Sequence, residues 1–167
     1  MHINTSLVHD HSFAPHLKKA GYTVGLFGKY LNWPADWKHV PDGFSAWFAN
    51  GGGDYLSPRF FSKHLGALGY PDGDWQGLPT DYSTSVIGNV STAWIESVSS
   101  SSRPFFAYIG VKAAHEPFTP APWHANHWDA TWPKREPRTP NWNCSYESRK
   151  DHHGCIAEMP MLNEAAE

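Results

Sequence analysis

The sequence predicts an α/β protein, and three observations carry that expectation. A short apolar stretch, Tyr22 to Phe27, follows a helical segment near the start of the chain; an amphipathic helix occupies Asp81 to Ser99; and a second apolar stretch, Pro104 to Val111, resumes straight after it. Helix-to-strand alternation of this kind builds layered α/β folds.

Each element has a local cause. Ser12 is a cap residue followed by Phe13, Leu17 and Ala20 at a crude helical spacing, and Gly21 stands where a C-terminal cap belongs, so a short helix leads into the first strand. Tyr22 to Phe27 is β-branched and apolar and stops at Gly28, the pattern of a strand buried on both faces of a sheet. Asn32 to Gly53 carries Trp33-Pro34, Pro41-Asp-Gly43 and Gly51-Gly-Gly53, which is loop chemistry broken by a strand at Phe44 to Phe48. Tyr55 to Phe61 is placed to pair with that strand as a hairpin. In the central helix Val86, Ile87, Val90, Ala93, Trp94, Ile95 and Val98 recur at helical spacing, with Thr80 or Asp81 as the cap and the serine run Ser99 to Ser102 as the stop. From Ala113 to Asn143 prolines and tryptophans follow one another without a period, so residues 113–143 are expected to form a long ordered loop, a kind usually tied to function.

Composition narrows the class. The 167 residues are 40% hydrophobic and 17% charged, with nine tryptophans, which is a globular profile and not a disordered one. A chain of this length buries roughly 70% of its unfolded surface when it closes on itself. A net charge of −3 without a Lys/Arg run leaves no electrostatic footprint for nucleic acid or an acidic membrane surface. No apolar run approaches the roughly 20 residues of a membrane span, and Met1-His-Ile-Asn-Thr-Ser6 lacks the regions of a signal peptide, so neither nucleic acid nor membrane is an expected partner. No residue pattern points to an oligomeric state. Asn4-Thr-Ser6, Asn89-Val-Ser91 and Asn143-Cys-Ser145 fit the N-glycosylation pattern, which matters in a secretory protein. Cys144 and Cys155 allow either a small disulfide-closed loop or two free thiols.

The chemistry concentrates at two strand ends. Lys29 follows Gly28 at the carboxyl end of the first strand, where open α/β sheets hold ligands, and a cation there suits an anion. The plain reading of Gly-Lys is a solvated turn. His115 lies in the loop after the second strand; histidine titrates near neutral pH and can give a proton, although a histidine beside Glu116 and Pro117 also reads as an ordinary hydrogen-bonded loop residue. The spacing of His124-Ala-Asn-His127 and Asp151-His-His153 raises zinc, but nothing places the third or fourth ligand that zinc needs. His9 and His11 read as surface polar residues.

Taken together, Gly21-Tyr-Thr-Val-Gly-Leu-Phe-Gly-Lys-Tyr-Leu-Asn32 and Pro104-Phe-Phe-Ala-Tyr-Ile-Gly-Val-Lys-Ala-Ala-His-Glu-Pro-Phe118 resemble the type I sulfatases, in particular the N-acetylglucosamine-6-sulfatase-like branch. The resemblance extends through Phe13-Ala-Pro-His-Leu17, Asp81-Tyr-Ser-Thr84, Pro120-Ala-Pro-Trp123 and Arg138-Thr-Pro-Asn141 in order. It implies an alkaline-phosphatase-like sandwich around a mixed, mostly parallel sheet, present only in part, with residues 1–167 forming one partial catalytic domain and 113–143 a loop on its active-site side. It implies that Lys29 contacts the sulfate and the activated nucleophile and that His115 contacts the sulfate ester, with Asn32 and Lys112 as weaker substrate-binding candidates. The implied partner is a sulfated carbohydrate, the implied setting the secretory pathway, lysosomal-like or extracellular.

The departures bear on activity. The family makes its formylglycine nucleophile from cysteine in Cys-x-Pro-Ser-Arg, and neither Cys144-Ser-Tyr-Glu147 nor Cys155-Ile-Ala-Glu158 fits. A calcium ion (Ca2+) is implied for the complete family domain and requires hard oxygen ligands, yet Asp42, Asp54, Asp72, Asp74, Asp81, Asp129 and Asp151 are scattered and read as turn or cap residues. Val24 and Ala114, where Thr and Pro are common in the family, change no chemical group in the implied site. Two expectations therefore stand side by side: an internal segment of a sulfatase that does not turn over alone, and a noncatalytic binder of sulfated carbohydrate in which Trp123, Trp128, Trp132 and Trp142 stack on sugar rings or anchor the loop.

Overall fold

The computed structural model describes residues 11–32 and 37–126, together with Lys150 and Glu158. It divides into two units, Met1–Pro122 and Trp123–Glu167. All the strands and both α-helices named below belong to the first. In the second, only Trp123 to Asn126, Lys150 and Glu158 are described, so Cys144, Cys155, His127, Asp151 to His153 and the loop beyond residue 126 lie outside the described residues, as do His9, Asn4 and Asn143.

Helix α1, Phe13–Lys19, ends as its glycine requires. Gly21 takes φ +90°, its N–H donates to Lys18 O at 3.0 Å, and the Tyr22 N–H reaches back to Leu17 O at 3.0 Å. These two bonds are a Schellman cap, which satisfies carbonyls the helix leaves open. Tyr22 then enters strand β1, Thr23–Lys29. The strand runs through Gly28 and includes Lys29, where the sequence places a turn. Its five inner residues are all buried, as a strand covered on both faces must be.

Strands β2, Ala46–Asn50, β3, Arg59–Lys63, and β4, Gly73–Gln76, follow, then helix α2, Ser83–Ser99, and strand β5, Phe105–Gly110. The sheet order is β4-β3-β2-β1-β5. β1 pairs in parallel with β2 (Lys29 opposite Asn50) and with β5 (Gly28 opposite Gly110), while β3 pairs antiparallel with β2 and with β4. Four strands thus run one way and β3 alone is reversed, the mixed and mostly parallel sheet that was expected. The hairpin between the second and third strands forms with its bounds moved toward the C-terminus. Strand β4 has no counterpart in the sequence reading.

Alternation along β1 and β2 sends side chains to two cores. Val24, Leu26, Trp47 and Ala49 pack with Ala14 of α1 and Phe44, whereas Phe27, Ala46 and Phe48 pack with Phe60 and with Val86, Ile87, Val90 and Trp94 of α2. One helix therefore covers each face. The buried Trp47 indole donates to Trp37 O at 2.8 Å, so no polar atom is stranded there. α2 begins after Tyr82, and neither Thr80 nor Asp81 caps it. Asp81 instead accepts the Leu78 N–H at 2.8 Å and closes the preceding turn. Asp42, Asp72 and Asp74 are tied to Lys18, Lys63 and Lys38 at 2.9, 2.6 and 2.6 Å. Hydrogen bonds from Lys63 and from the His64 N–H hold the Asp72 carboxyl below the usual carboxylate range. β5 is as apolar as the sequence suggests, yet it is an edge strand, and Phe105, Phe106, Tyr108 and Ile109 remain 37% to 46% exposed.

Candidate anion-binding site

The three parallel strands β2, β1 and β5 end side by side, at Asn50, Lys29 and Gly110. The chain leaves β1 toward β2 on one side and returns through α2 to β5 on the other, so the loops after β1 and β5 diverge at this end, the crevice position of open α/β sheets. A cleft of about 590 Å³ opens there, lined by Lys29, Gly51, Gly52, Gly53, Val111, Lys112, His115, Glu116 and Pro117.

Its walls are built by three local devices. The first is the meeting of Gly28 and Gly110: Gly28 takes φ +103°, and a Cβ on it would lie 1.9 Å from Gly110 O. Only glycine at position 28 allows β1 and β5 to run this close up to the residue before Lys29. The second is Asn50. It is 3% exposed, accepts the Gly52 N–H at 2.9 Å and donates to Arg59 O at 3.0 Å, so its amide fixes the turn Gly51 to Gly53. Gly52, at φ +108°, presents its Cα side to Lys29, whose Nζ would be 3.4 Å from an added Cβ.

Tyr55 is the third device. Its hydroxyl donates to His115 O and accepts the His115 N–H at 3.0 Å, although the two residues are 60 apart in sequence. The Tyr55 ring stacks on Tyr82 at 5.7 Å, and Tyr82 donates to Thr119 O at 2.9 Å. Burial pushes the Tyr82 hydroxyl pKa above its ordinary value, so it stays a neutral donor. Lys112 lies over the Tyr55 ring, 4.6 Å from its centroid, and donates to Gly53 O. Two tyrosines and one lysine thus hold residues 112–119 against the turn after β2.

With Glu116 counted against Lys29 and Lys112, the charge in the cleft is still positive. Among the described residues Lys29 has no acid partner, and Lys112 bonds only a carbonyl through its ammonium. The His115 Nδ1 stands 2.9 Å from Glu116 O; a carbonyl only accepts, so Nδ1 carries the proton and Nε2 is left for a ligand. Lys29, Lys112 and His115 therefore share one cleft. Asn32 does not line it; that residue borders a neighbouring cleft. Among the described residues no three His, Cys, Asp or Glu side chains converge as metal ligands, so a calcium ion finds no shell among them. Tyr55 and Asn50 were not picked out from sequence. The word Asn50-Gly-Gly-Gly53 signalled the turn, but nothing local signals a tyrosine that bonds a loop 60 residues on.

We expect Tyr55→Phe to keep the ring stack and to lose both bonds to His115, a cost of about 1–3 kcal/mol. Hydrogen exchange should quicken at the His115 and Phe118 amides and stay unchanged at Val86 in α2. The His115 N–H keeps its second bond, to Lys112 O at 2.9 Å, so the larger change is expected at Phe118, and unaltered rates at both amides would refute the clamp.

Comparison with known proteins places this geometry. The sulfatase family model matches residues 4–159. The N-acetylglucosamine-6-sulfatase of Capra hircus is 30% identical over 152 residues, covering 87% of this chain and 25% of its own length. The extracellular sulfatase SULF-1 homolog of Drosophila melanogaster is 27% identical over 117 residues, 69% of this chain and 10% of its own. The chain thus spans about a quarter of the first of these relatives. A solved structure of a protein in complex with its substrate D-glucosamine-2-N,6-O-disulfate has a TM-score of 0.54 at 24% identity, over 75% of this chain and 23% of that one, a likeness of fold.

Proposed function

The chain belongs to the sulfatase family, and from that premise we propose that it forms part of a catalytic domain that hydrolyses sulfate esters of sugars, of the N-acetylglucosamine-6-sulfate type found in glycosaminoglycans and other polysaccharides. The observation that carries the proposal is the single cleft in which Lys29, without an acid partner among the described residues, meets Lys112 and His115. Sulfuryl transfer spreads charge over equatorial oxygens and the leaving oxygen, and donors fixed in advance lower that barrier. In this reading Lys29 meets the sulfate oxygens. His115, its Nδ1 proton held by Glu116 O, donates to the ester oxygen from Nε2–H in the form with both ring nitrogens protonated. Lys112 supports the cleft wall more than the ligand.

These 167 residues contain no Cys-x-Pro-Ser-Arg, and the reading assigns them sulfate recognition without turnover when they stand alone. No step is routed through calcium, because the described residues do not fit it. A secretory setting is supported by the relative named extracellular and by the sequons; Asn89 is exposed on α2. Among the described residues no helix is long and apolar enough to cross a membrane.

Titration of the chain with N-acetylglucosamine 6-sulfate should shift the amide resonances of Gly51 to Gly53 and Val111 to His115, with unsulfated N-acetylglucosamine as the control. Equal responses to the two sugars would defeat the proposal.

A further inference from the structure

A second cleft adjoins the first. It has a volume of about 530 Å³ and is bounded by Trp37, Trp75, Arg59, Asn32, Asp54 and Gln76, among others. Gly51 and Gly53 line both clefts, so the two meet at the turn that Asn50 holds. This cleft has a different character. Trp75 is half-buried at the end of the sheet, packed on Phe48 at 5.4 Å, and Trp37 is half-buried with Lys38 beside its ring at 5.5 Å. Both indoles pack inward, Trp75 against Phe48, Phe60 and Tyr70 and Trp37 against the core on the other face, so what they give the cleft is a half-exposed apolar border against which a pyranose can lie. Lys38 and Asp74 neutralise each other at 2.6 Å. Gln76 is engaged by Ser57 at 2.8 and 3.0 Å. What remains is Arg59, exposed on strand β3, whose guanidinium has no partner among the described residues, with Asp54 and Asn32 likewise uncommitted.

We infer that this second cleft is a subsite for a neighbouring acidic sugar of a longer glycan, with Arg59 taking the carboxylate or sulfate of that unit while the first cleft holds the sulfate to be cleaved. The inference rests on the reading of the first cleft as a sulfate site. A planar guanidinium matches either anion with two parallel hydrogen bonds, whereas a lysine does not. Asp54 and Asn32 are left to bond ring hydroxyls, which carry no charge.

The test compares affinities of the full chain for N-acetylglucosamine 6-sulfate and for a heparan sulfate tetrasaccharide bearing that group, by calorimetry at fixed salt. The tetrasaccharide should bind about tenfold more tightly, the worth of one hydrogen-bonded charge. Arg59→Ala should bring the ratio of the two Kd values close to one, and Arg59→Lys should restore only part of it. Circular dichroism of each variant guards against a folding defect. A ratio near one in the unsubstituted chain, with the monosaccharide still bound, overturns the subsite and leaves the sulfate reading in place. A ratio unaffected by Arg59→Ala also overturns it. Failure of both sugars to bind removes the sulfate reading and the subsite with it.

Discussion

Gly28→Ala is expected to lower the melting temperature of the chain by about 6–12 °C, the equivalent of roughly 3 kcal/mol in a domain of this size. Two costs combine. A φ of +103° is strained for any L residue, and the added Cβ would stand 1.9 Å from Gly110 O, a backbone atom of the neighbouring strand that moves only if the β1–β5 pairing opens. Two other glycines separate these terms. Gly69, at φ +85°, has open space where its Cβ would go, so Gly69→Ala meets the conformational cost alone, about 1–2 kcal/mol. Gly88 lies inside α2 with nothing within 4 Å, so Gly88→Ala should stabilise by up to about 1 kcal/mol. The series is read by thermal unfolding. If Gly28→Ala costs no more than Gly69→Ala, the close approach of the strands is not what requires glycine. If Gly88→Ala destabilises, a methyl group at this position of α2 does not meet open space.

Where local chemistry decides structure, the sequence was readable. Helix α1 forms where Ser12 to Gly21 places it, with Gly21 as its stop, although Ser12 stands at the N-cap position without a side-chain capping bond; the apolar period of residues 86–98 gives α2 its buried face. Boundaries failed where a tertiary contact overrules a local signal. Gly28 looks like a terminator, yet it is a strand residue because β5 passes too close for a side chain. Strand β4 was invisible for a related reason: Gly73-Asp-Trp-Gln76 has no apolar alternation and is a strand only because β3 offers an edge. β5 shows the converse, since an apolar run announces a strand but not its exposure, which depends on what else pairs with it. The site divides along the same line. Lys29, Lys112 and His115 are visible as charges at strand ends, and the parallel register brings them to one cleft. Asn32 is only three residues past Lys29, yet it borders the second cleft and not the first. Tyr55, which holds His115, reads locally as one more aromatic core residue.

Lys29→Met should weaken binding of N-acetylglucosamine 6-sulfate by roughly tenfold to a hundredfold, because it removes the cation while keeping most of the side-chain volume. Lys29 has no acid partner among the described residues, so the substitution strands no buried charge and should leave the melting temperature nearly unchanged. That combination separates a ligand contact from a structural one. Affinity for the unsubstituted chain should fall as salt rises, since the cleft is open to screening, and the Lys29→Met chain should show a shallower salt dependence. Lys112→Met offers the contrast. Its ammonium bonds Gly53 O and lies over Tyr55, so its loss should cost stability and affinity together through the wall of the cleft. In a polypeptide that joins these residues to a formylglycine nucleophile, the loss of Lys29 should cost more than in binding, about a hundredfold to a thousandfold in turnover, because the developing charge is larger than that of the bound ester. Equal losses for Lys29→Met and Lys112→Met in both stability and affinity would make Lys29 a wall residue and leave His115 as the cleft's only candidate for contact with the sulfate.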